Sequence, residues 1–469
     1  MSPSRPRLAI PLTYGLSVRY LVSTGLLSQL NDVCEPVVAI GWDDPALVRR
    51  VEEAGAEAAR LPDPHQSHEF RRIERLLDTI HQRRLDSPTT AITRRWRRQA
   101  QEPGTRLLTW LRQARDRLVT LRPGAEARLL AEEAASLEGH TNVGEYAAWL
   151  EEHRIDAVLT LTPYHLGDQL LLWAAAARGC RTASAVISFD NPTTRGRFPV
   201  TGERVLVWNQ ANLEEILRGY PRLGPDQVRV TGAPQFDLHR DGERIIPEPA
   251  WRERLGLPPG RPVILYGAVA ELLVPDEELL VAAIDDAIGR GRIPGHPVVL
   301  LRGHPADPIE RWAGAAALEN VVVAPGWGRA DGGLAWPSEE EIDLQMSTLA
   351  HADVQVSICS SMAIDGAAFD RPVITPTFVP GTSRTRQQRI ESLYRQEHWQ
   401  PIARSGGVTE VGDLTQLEQA VARDLAEPGR GREGRARLVV ALLSFDDGKA
   451  CERTTAAVEA FLREPPTDA

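Results

Sequence analysis

Lysine is almost absent from this chain: Lys449 is alone among 54 basic side chains, so lysine chemistry is excluded at every other position. The four cysteines, Cys34, Cys180, Cys359 and Cys451, are far apart and form no C-x-x-C pair. That spacing indicates neither a zinc cluster nor a disulfide framework, and the thiols read as reduced. No segment reaches the roughly 18 consecutive apolar residues of a membrane span, and Arg5-Pro6-Arg7 leads only into a strand-length run, so a cytoplasmic protein is expected. No G-x-G-x-x-G follows the apolar run Val263 to Tyr266 to support dinucleotide binding, and no Asp-x-Asp sits in a loop to hold a divalent metal. Internal repeats and low-complexity tracts are missing as well.

What is present describes a globular protein, with 42% hydrophobic and 25% charged residues in 469. That length suggests about two domains of 200 to 250 residues. The net charge of −10 hides an asymmetry. Between Phe70 and Arg122 there are 14 arginines against five acids, a local balance of +9, which leaves the remainder near −19. A segment so basic could face an anionic membrane, an acidic substrate or an acidic patch of its own fold. Trp96 and Trp110 among these arginines suit a membrane interface, and they suit equally a solvated helical face with buried tryptophans. The overall acidity and the lack of a binding module argue against nucleic acid.

Apolar runs at Leu8 to Leu12 and Val37 to Ile40, with helical periodicity between them from Val18 to Leu30, predict a β-α-β opening. Residues 67–138 then read as amphipathic helices, a helical insertion. The β/α rhythm resumes with strands at Ala157 to Thr162, Thr182 to Ile187, Val205 to Trp208 and Val228 to Thr231, and a helix from Leu166 to Ala177. A proline-rich stretch follows. Strands are next expected at Val263 to Tyr266, Val298 to Leu301, Val321 to Ala324, Val354 to Ile358 and Val373 to Thr375, and Ser338 with Glu341 looks like a capping box. The expected organisation is a first α/β domain over 1–235, a linker at 236–250, a doubly wound parallel-sheet domain over 251–445, and a C-terminal helix in 446–469 packing back toward the first domain.

In such a sheet ligands bind where strands end and helices begin. Two loops there carry phosphate chemistry: Arg302-Gly303-His304-Pro305 and Cys359-Ser360-Ser361. His304 and Arg302 supply charged donors, Pro305 would fix the start of the next helix, and Ser360 and Ser361 supply hydroxyls and free N–H groups at a helix N-terminus. The bland alternatives are a histidine capping its own turn, an arginine paired locally and an ordinary N-cap. Asp365, one turn beyond Ser361, could reach a ribose hydroxyl, or be a plain surface acid. Gly267 would let a nucleotide approach the backbone, or simply make a tight turn.

These motifs resemble those of GT-B-fold glycosyltransferases of bacterial surface and capsular polysaccharides, a group with His-Pro and Ser-Ser motifs that includes CDP-glycerol glycerophosphotransferases, Kdo transferases and sialyltransferases. Val230 to Asp237 and Ser188 to Gly196 are similar to further stretches of these enzymes. The resemblance implies α/β GT-B architecture: two Rossmann-like doubly wound domains, the first with the helical insertion. It implies a metal-independent transferase that moves a sugar or phosphopolyol from a nucleotide-activated donor to a cell-surface glycan or glycolipid precursor, with no cofactor beyond that co-substrate and with peripheral association at the inner membrane face as one option. Gly267, Arg302, His304, Pro305, Ser360, Ser361 and Asp365 would bind the nucleotide. The base that deprotonates the acceptor would be His165, Asp168 or Asp190 of the first domain. A nucleotide-sugar epimerase of the UDP-N-acetylglucosamine 2-epimerase kind, or a non-catalytic scaffold, fits the same architecture.

Overall fold

A computed structural model describes residues 5–99, 103–199, 202–324, 326–327 and 336–464. Residues 1–4, 100–102 of the expected insertion and the last five of the C-terminal segment lie outside the described residues. The chain forms two compact units, one of residues 1–235 with 449–469 and one of residues 236–448.

The first unit holds seven parallel strands: β1 (Arg7–Leu12), β2 (Glu35–Ile40), β3 (Glu57–Arg60), β4 (Ala157–Thr160), β5 (Arg181–Ala185), β6 (Arg204–Val207) and β7 (Val228–Val230). Their order is β3-β2-β1-β4-β5-β6-β7. Connections therefore run outward in opposite directions from β1 and β4, which lie side by side with Leu8 opposite Ala157. That reversal opens a crevice at the carboxyl ends of the two strands. Buried runs such as Leu8, Ala9 and Ile10 explain why these segments are strands covered on both faces. The helical stretch expected from Val18 to Leu30 is instead broken: a π-type turn at Arg19–Ser23 runs into Gly25, whose φ of +79° ends it before Leu26–Leu30. The insertion forms helices His68–Leu85, Pro88–Gln99, Pro103–Thr120 and Ala125–His140, with Ile73, Leu76, Leu77, Ile80 and Leu129 as a core of its own. Part of its positive charge is paired internally, through Arg72 with Glu132, Arg75 with Asp116 and Arg84 with Glu126. The final helix, Ala450–Arg463, packs within this unit, where Arg453 Nε donates to the Thr231 carbonyl at 3.1 Å.

The second unit holds β8 (Val263–Gly267), β9 (Val298–Arg302), β10 (Val321–Ala324), β11 (Val354–Val356), β12 (Val373–Pro376) and β13 (Val408–Val411), all parallel in the order β10-β9-β8-β11-β12-β13. Its reversal lies between β8 and β11, with Tyr266 opposite Val356. The capping box forms as the sequence suggests: Ser338 Oγ accepts from Glu341 N–H at 3.2 Å, and Glu341 Oε2 accepts from Ser338 N–H at 2.8 Å. The 236–250 stretch makes short three-ten turns and sets Leu238, Ile245 and Ile246 against this unit's core. No α-helix starts at Pro305. Three-ten turns at Ile309–Trp312 and Ala315–Ala317 lead to β10, because Pro308 disfavours the helical region for Asp307.

Candidate functional site

In the first unit the crevice between β1 and β4 gathers Thr13, Thr162, His165 and Asp168. Thr13 follows β1, and Thr162 follows β4 by two residues. Asp168 sits in the first turn of the helix Leu166–Ala177 and is 0% exposed. The Thr13 hydroxyl donates to Asp168 Oδ1 at 2.5 Å. Thr162 donates to Oδ2 twice, from its N–H at 2.9 Å and its hydroxyl at 3.2 Å. Burial raises the Asp168 pKa to about 7, with these donors pulling the other way.

His165 Nδ1 lies 3.3 Å from Thr13 Oγ1. Once Asp168 is ionised the Thr13 proton goes to it, so Nδ1 carries the ring hydrogen and donates, which leaves Nε2 with a free lone pair. Burial lowers the His165 pKa, a hydrogen bond to the Thr13 backbone opposes this and the Arg195 charge adds to the lowering, so the ring is neutral at pH 7. Tyr14 packs edge-on against it at 5.3 Å between ring centroids. The result is a base oriented by a hydroxyl, which is oriented in turn by a buried carboxylate.

Asp190 is arranged differently. Its carboxylate accepts from the hydroxyls of Ser188 and Thr194, and its carbonyl accepts from the N–H groups of Thr193 and Thr194. It organises the turn at Asn191–Thr194, the local role an Asx side chain takes beside a proline.

In the second unit His304 lies on the loop after β9. Its Nδ1 accepts from the Ala306 N–H at 3.1 Å, so a neutral ring carries its hydrogen on Nε2 and presents a donor there. Burial lowers its pKa, Arg311 lowers it further and Asp307 opposes both. Ser360 and Ser361 follow β11. Ser360 Oγ accepts from the Met362 N–H at 3.2 Å, while the Ser361 hydroxyl makes no cap bond. Cys359 has φ of +37°, a left-handed conformation unusual for a residue with a Cβ. Its N–H is held by Thr375 Oγ1 and the Tyr394 hydroxyl, and this pinned kink directs the chain into the two serines.

Three other expected nucleotide ligands have their side chains or backbone space taken up within this unit. The Arg302 guanidinium lies over Trp327, 5.5 Å from the ring centroid. It lines a pocket with Leu255, Leu300, Gln345 and Thr348 that includes neither His304 nor the serines. Asp365 Oδ1 accepts from buried His239 Nε2 at 2.8 Å, next to Phe236 and Phe369, so its carboxylate is engaged in the core. At Gly267 a Cβ would meet Met362 Sδ at 2.4 Å, so a methionine already fills the space beside that backbone.

A second network orders the loop after β8. Glu277, fully buried, accepts from the Tyr266 hydroxyl at 3.0 Å, from the Val269 N–H at 3.0 Å and from Arg311 Nη2 at 3.2 Å. Arg311 Nη1 also donates to Asp307 at 2.5 Å and to the Val269 carbonyl at 2.6 Å. This ties the β8 loop to the His304 loop. Among the described residues no group of three or more His, Cys, Asp or Glu is placed to hold a metal ion, and no helix is long and apolar enough to cross a membrane.

No family model matches the sequence, and no curated protein matches it. Its likeness is to solved structures. The MnaA–UDP structure of S. aureus superposes with a TM-score of 0.57 at 11% identity, over 99% of this chain and 100% of that one. UDP-GlcNAc 2-epimerase of Neisseria meningitidis, bound to UDP-GlcNAc, gives 0.54 at 12% identity over 98% and 100%. A glycosyltransferase of Rickettsia africae gives 0.50 at 12% over 99% and 100%. At such identities the likeness is one of fold, and in its fold this chain is a GT-B-type protein of two doubly wound units.

Proposed function

We propose that the protein is a nucleotide-sugar enzyme, and specifically a glycosyltransferase that moves a sugar or related phosphopolyol to a cell-surface glycan or glycolipid precursor. The observation that carries this reading is the opposite polarity of its two loop histidines. His165 offers a lone pair at Nε2 and suits a general base for an acceptor hydroxyl. His304 offers a hydrogen at Nε2 and suits a donor to the departing phosphate, and the Ser361 hydroxyl, on the loop after β11 on the far side of β8, suits a second. In that role the fixed donors of the second unit stabilise charge on the leaving nucleotide. Thr13 and Asp168 are positioning residues, since they act on His165 and not on substrate.

A second reading has a specific observation in its favour. Asp168, with its pKa near 7, is linked through Thr13 to His165, and a carboxyl titrating near neutrality joined to a neutral imidazole also suits proton transfer at C2 of a nucleotide sugar, as a 2-epimerase requires. One experiment separates the two. The protein is incubated with UDP-, CDP- and GDP-sugars in D2O, with and without glycan acceptors. Acceptor-dependent nucleotide release without deuterium in the donor supports transfer. Deuterium at C2 of the donor sugar overturns transfer in favour of epimerisation.

A further inference from the structure

The insertion helix Pro103–Thr120 is packed inside out. Its buried side chains are polar: Thr109, Asp116 and Thr120. Asp116 accepts from Arg75 Nε at 2.9 Å, and the Thr120 carbonyl accepts from Arg83 Nη2 at 3.1 Å, so these bonds hold the polar side against helix His68–Leu85. Its apolar side chains, apart from Val119, which packs against the insertion's core, face outward. Leu107 is 63% exposed, Trp110 55%, Leu111 49% and Leu118 68%, with Leu121 just beyond the helix at 63%. Leu107, Leu111, Ala114, Leu118 and Leu121 follow one another at alternating steps of four and three, which places them in a single line along the helix. A continuous exposed stripe of this kind marks an interaction surface, unlike scattered exposed leucines.

Charge decides what the stripe fits. Arg115 and Arg122 border it on one side and Arg117 on the other, all exposed. The one acid on the described part of the helix, Asp116, is on the buried face; Arg115 remains 64% exposed although its Nη2 is 3.6 Å from that carboxylate. A second copy of the helix would bring arginine against arginine along both borders, which disfavours self-pairing. An anionic lipid surface satisfies both features: leucines and Trp110 enter the headgroup–acyl boundary while the arginines reach lipid phosphates. We propose that Pro103–Thr120 and the adjoining Leu121 and Arg122 form a docking face for anionic membrane, through which the first unit sits at a lipid surface. The inference is independent of the donor chemistry proposed above.

Co-sedimentation of the full chain with vesicles tests it, using phosphatidylcholine alone and phosphatidylcholine mixed with phosphatidylglycerol, at low and high salt. The wild type is expected to sediment with the anionic vesicles, less so as salt rises, and hardly at all with the neutral ones. Leu111→Ser/Leu118→Ser and Arg115→Glu/Arg122→Glu are each expected to weaken that binding about tenfold or more. All four side chains are exposed, so the melting temperature should stay unchanged; should the leucine variant fail to fold, the arginine variant tests the surface alone. Lack of wild-type binding to anionic vesicles, or equal binding by either folded variant, overturns the proposal. So does a wild-type dimer in sedimentation velocity that the leucine variant dissolves while no vesicle is bound, since a second copy would then be the occupant.

Discussion

Asp168→Asn should alter how stability depends on pH, and the sign follows from burial. The carboxyl is fully buried with a pKa near 7, against 3.8 for a free side chain. In the unfolded chain it loses its proton near pH 4, while in the native chain it keeps it until about pH 7. Between those values the native state binds more protons, so this group's contribution to stability falls as pH rises. The three-unit difference corresponds to roughly 4 kcal/mol lost across that window. Asparagine has no such titration, but it places an amide NH2 against donors from Thr13 or Thr162, at a cost of about 1–3 kcal/mol at any pH. The variant should therefore be clearly less stable than wild type at pH 5, and the gap should close or reverse by pH 8. Scanning calorimetry of both proteins at the two pH values measures it. A gap that is the same at pH 5 and pH 8 would refute the reasoning, because it would mean the buried carboxyl titrates as an ordinary aspartate.

Other consequences can be checked separately. Turnover should rise with pH through about 7, as Asp168 ionises and fixes His165 in the Nδ1–H form, and Thr13→Val should lower kcat while leaving nucleotide affinity unchanged; a pH–rate profile on both proteins decides. His239→Ala should destabilise the second unit by about 3 kcal/mol in a thermal melt, because it leaves Asp365 buried without its partner. Gly434→Ala should cost about 3 kcal/mol or more, since the new Cβ would lie 2.0 Å from the Gly406 carbonyl oxygen and backbone cannot step aside. Gly267→Ala should be much milder in the same assay, because its clash is with the flexible end of Met362.

The sequence revealed the fold wherever strands are fully buried. β1, β8 and β9 are continuous apolar runs and are readable as such. The edge strands β3 and β13 read Glu-Ala-Ala-Arg and Val-Thr-Glu-Val, carry no apolar run and leave no trace in periodicity. The helix expected after Pro305 failed on a second proline three residues on. At the sites, position after a strand end pointed to His165, Asp168, His304, Ser360 and Ser361. It could not show Thr13 as the link between His165 and Asp168, since that contact depends on β1 pairing with β4 some 149 residues away, counted from Thr13 to Thr162. Nor could it show that Asp365 meets His239, 126 residues earlier, or that Glu277 meets Arg311 across the β8 and β9 loops. Thr13 did carry a signal: it is the first polar residue after the first buried strand.

The central claim is that the second unit binds a nucleotide phosphate through His304 and the serine loop. Isothermal titration of UDP, CMP, CDP and GDP into the wild type and His304→Ala tests it most directly. The account predicts that one nucleotide binds the wild type, with affinity nearly constant from pH 7 to 8 because the ring is already neutral, and that His304→Ala weakens it about ten- to a hundredfold, as expected for a hydrogen bond to a charged group. Equal affinity in the folded variant, or no binding of any nucleotide at millimolar concentration, would contradict it.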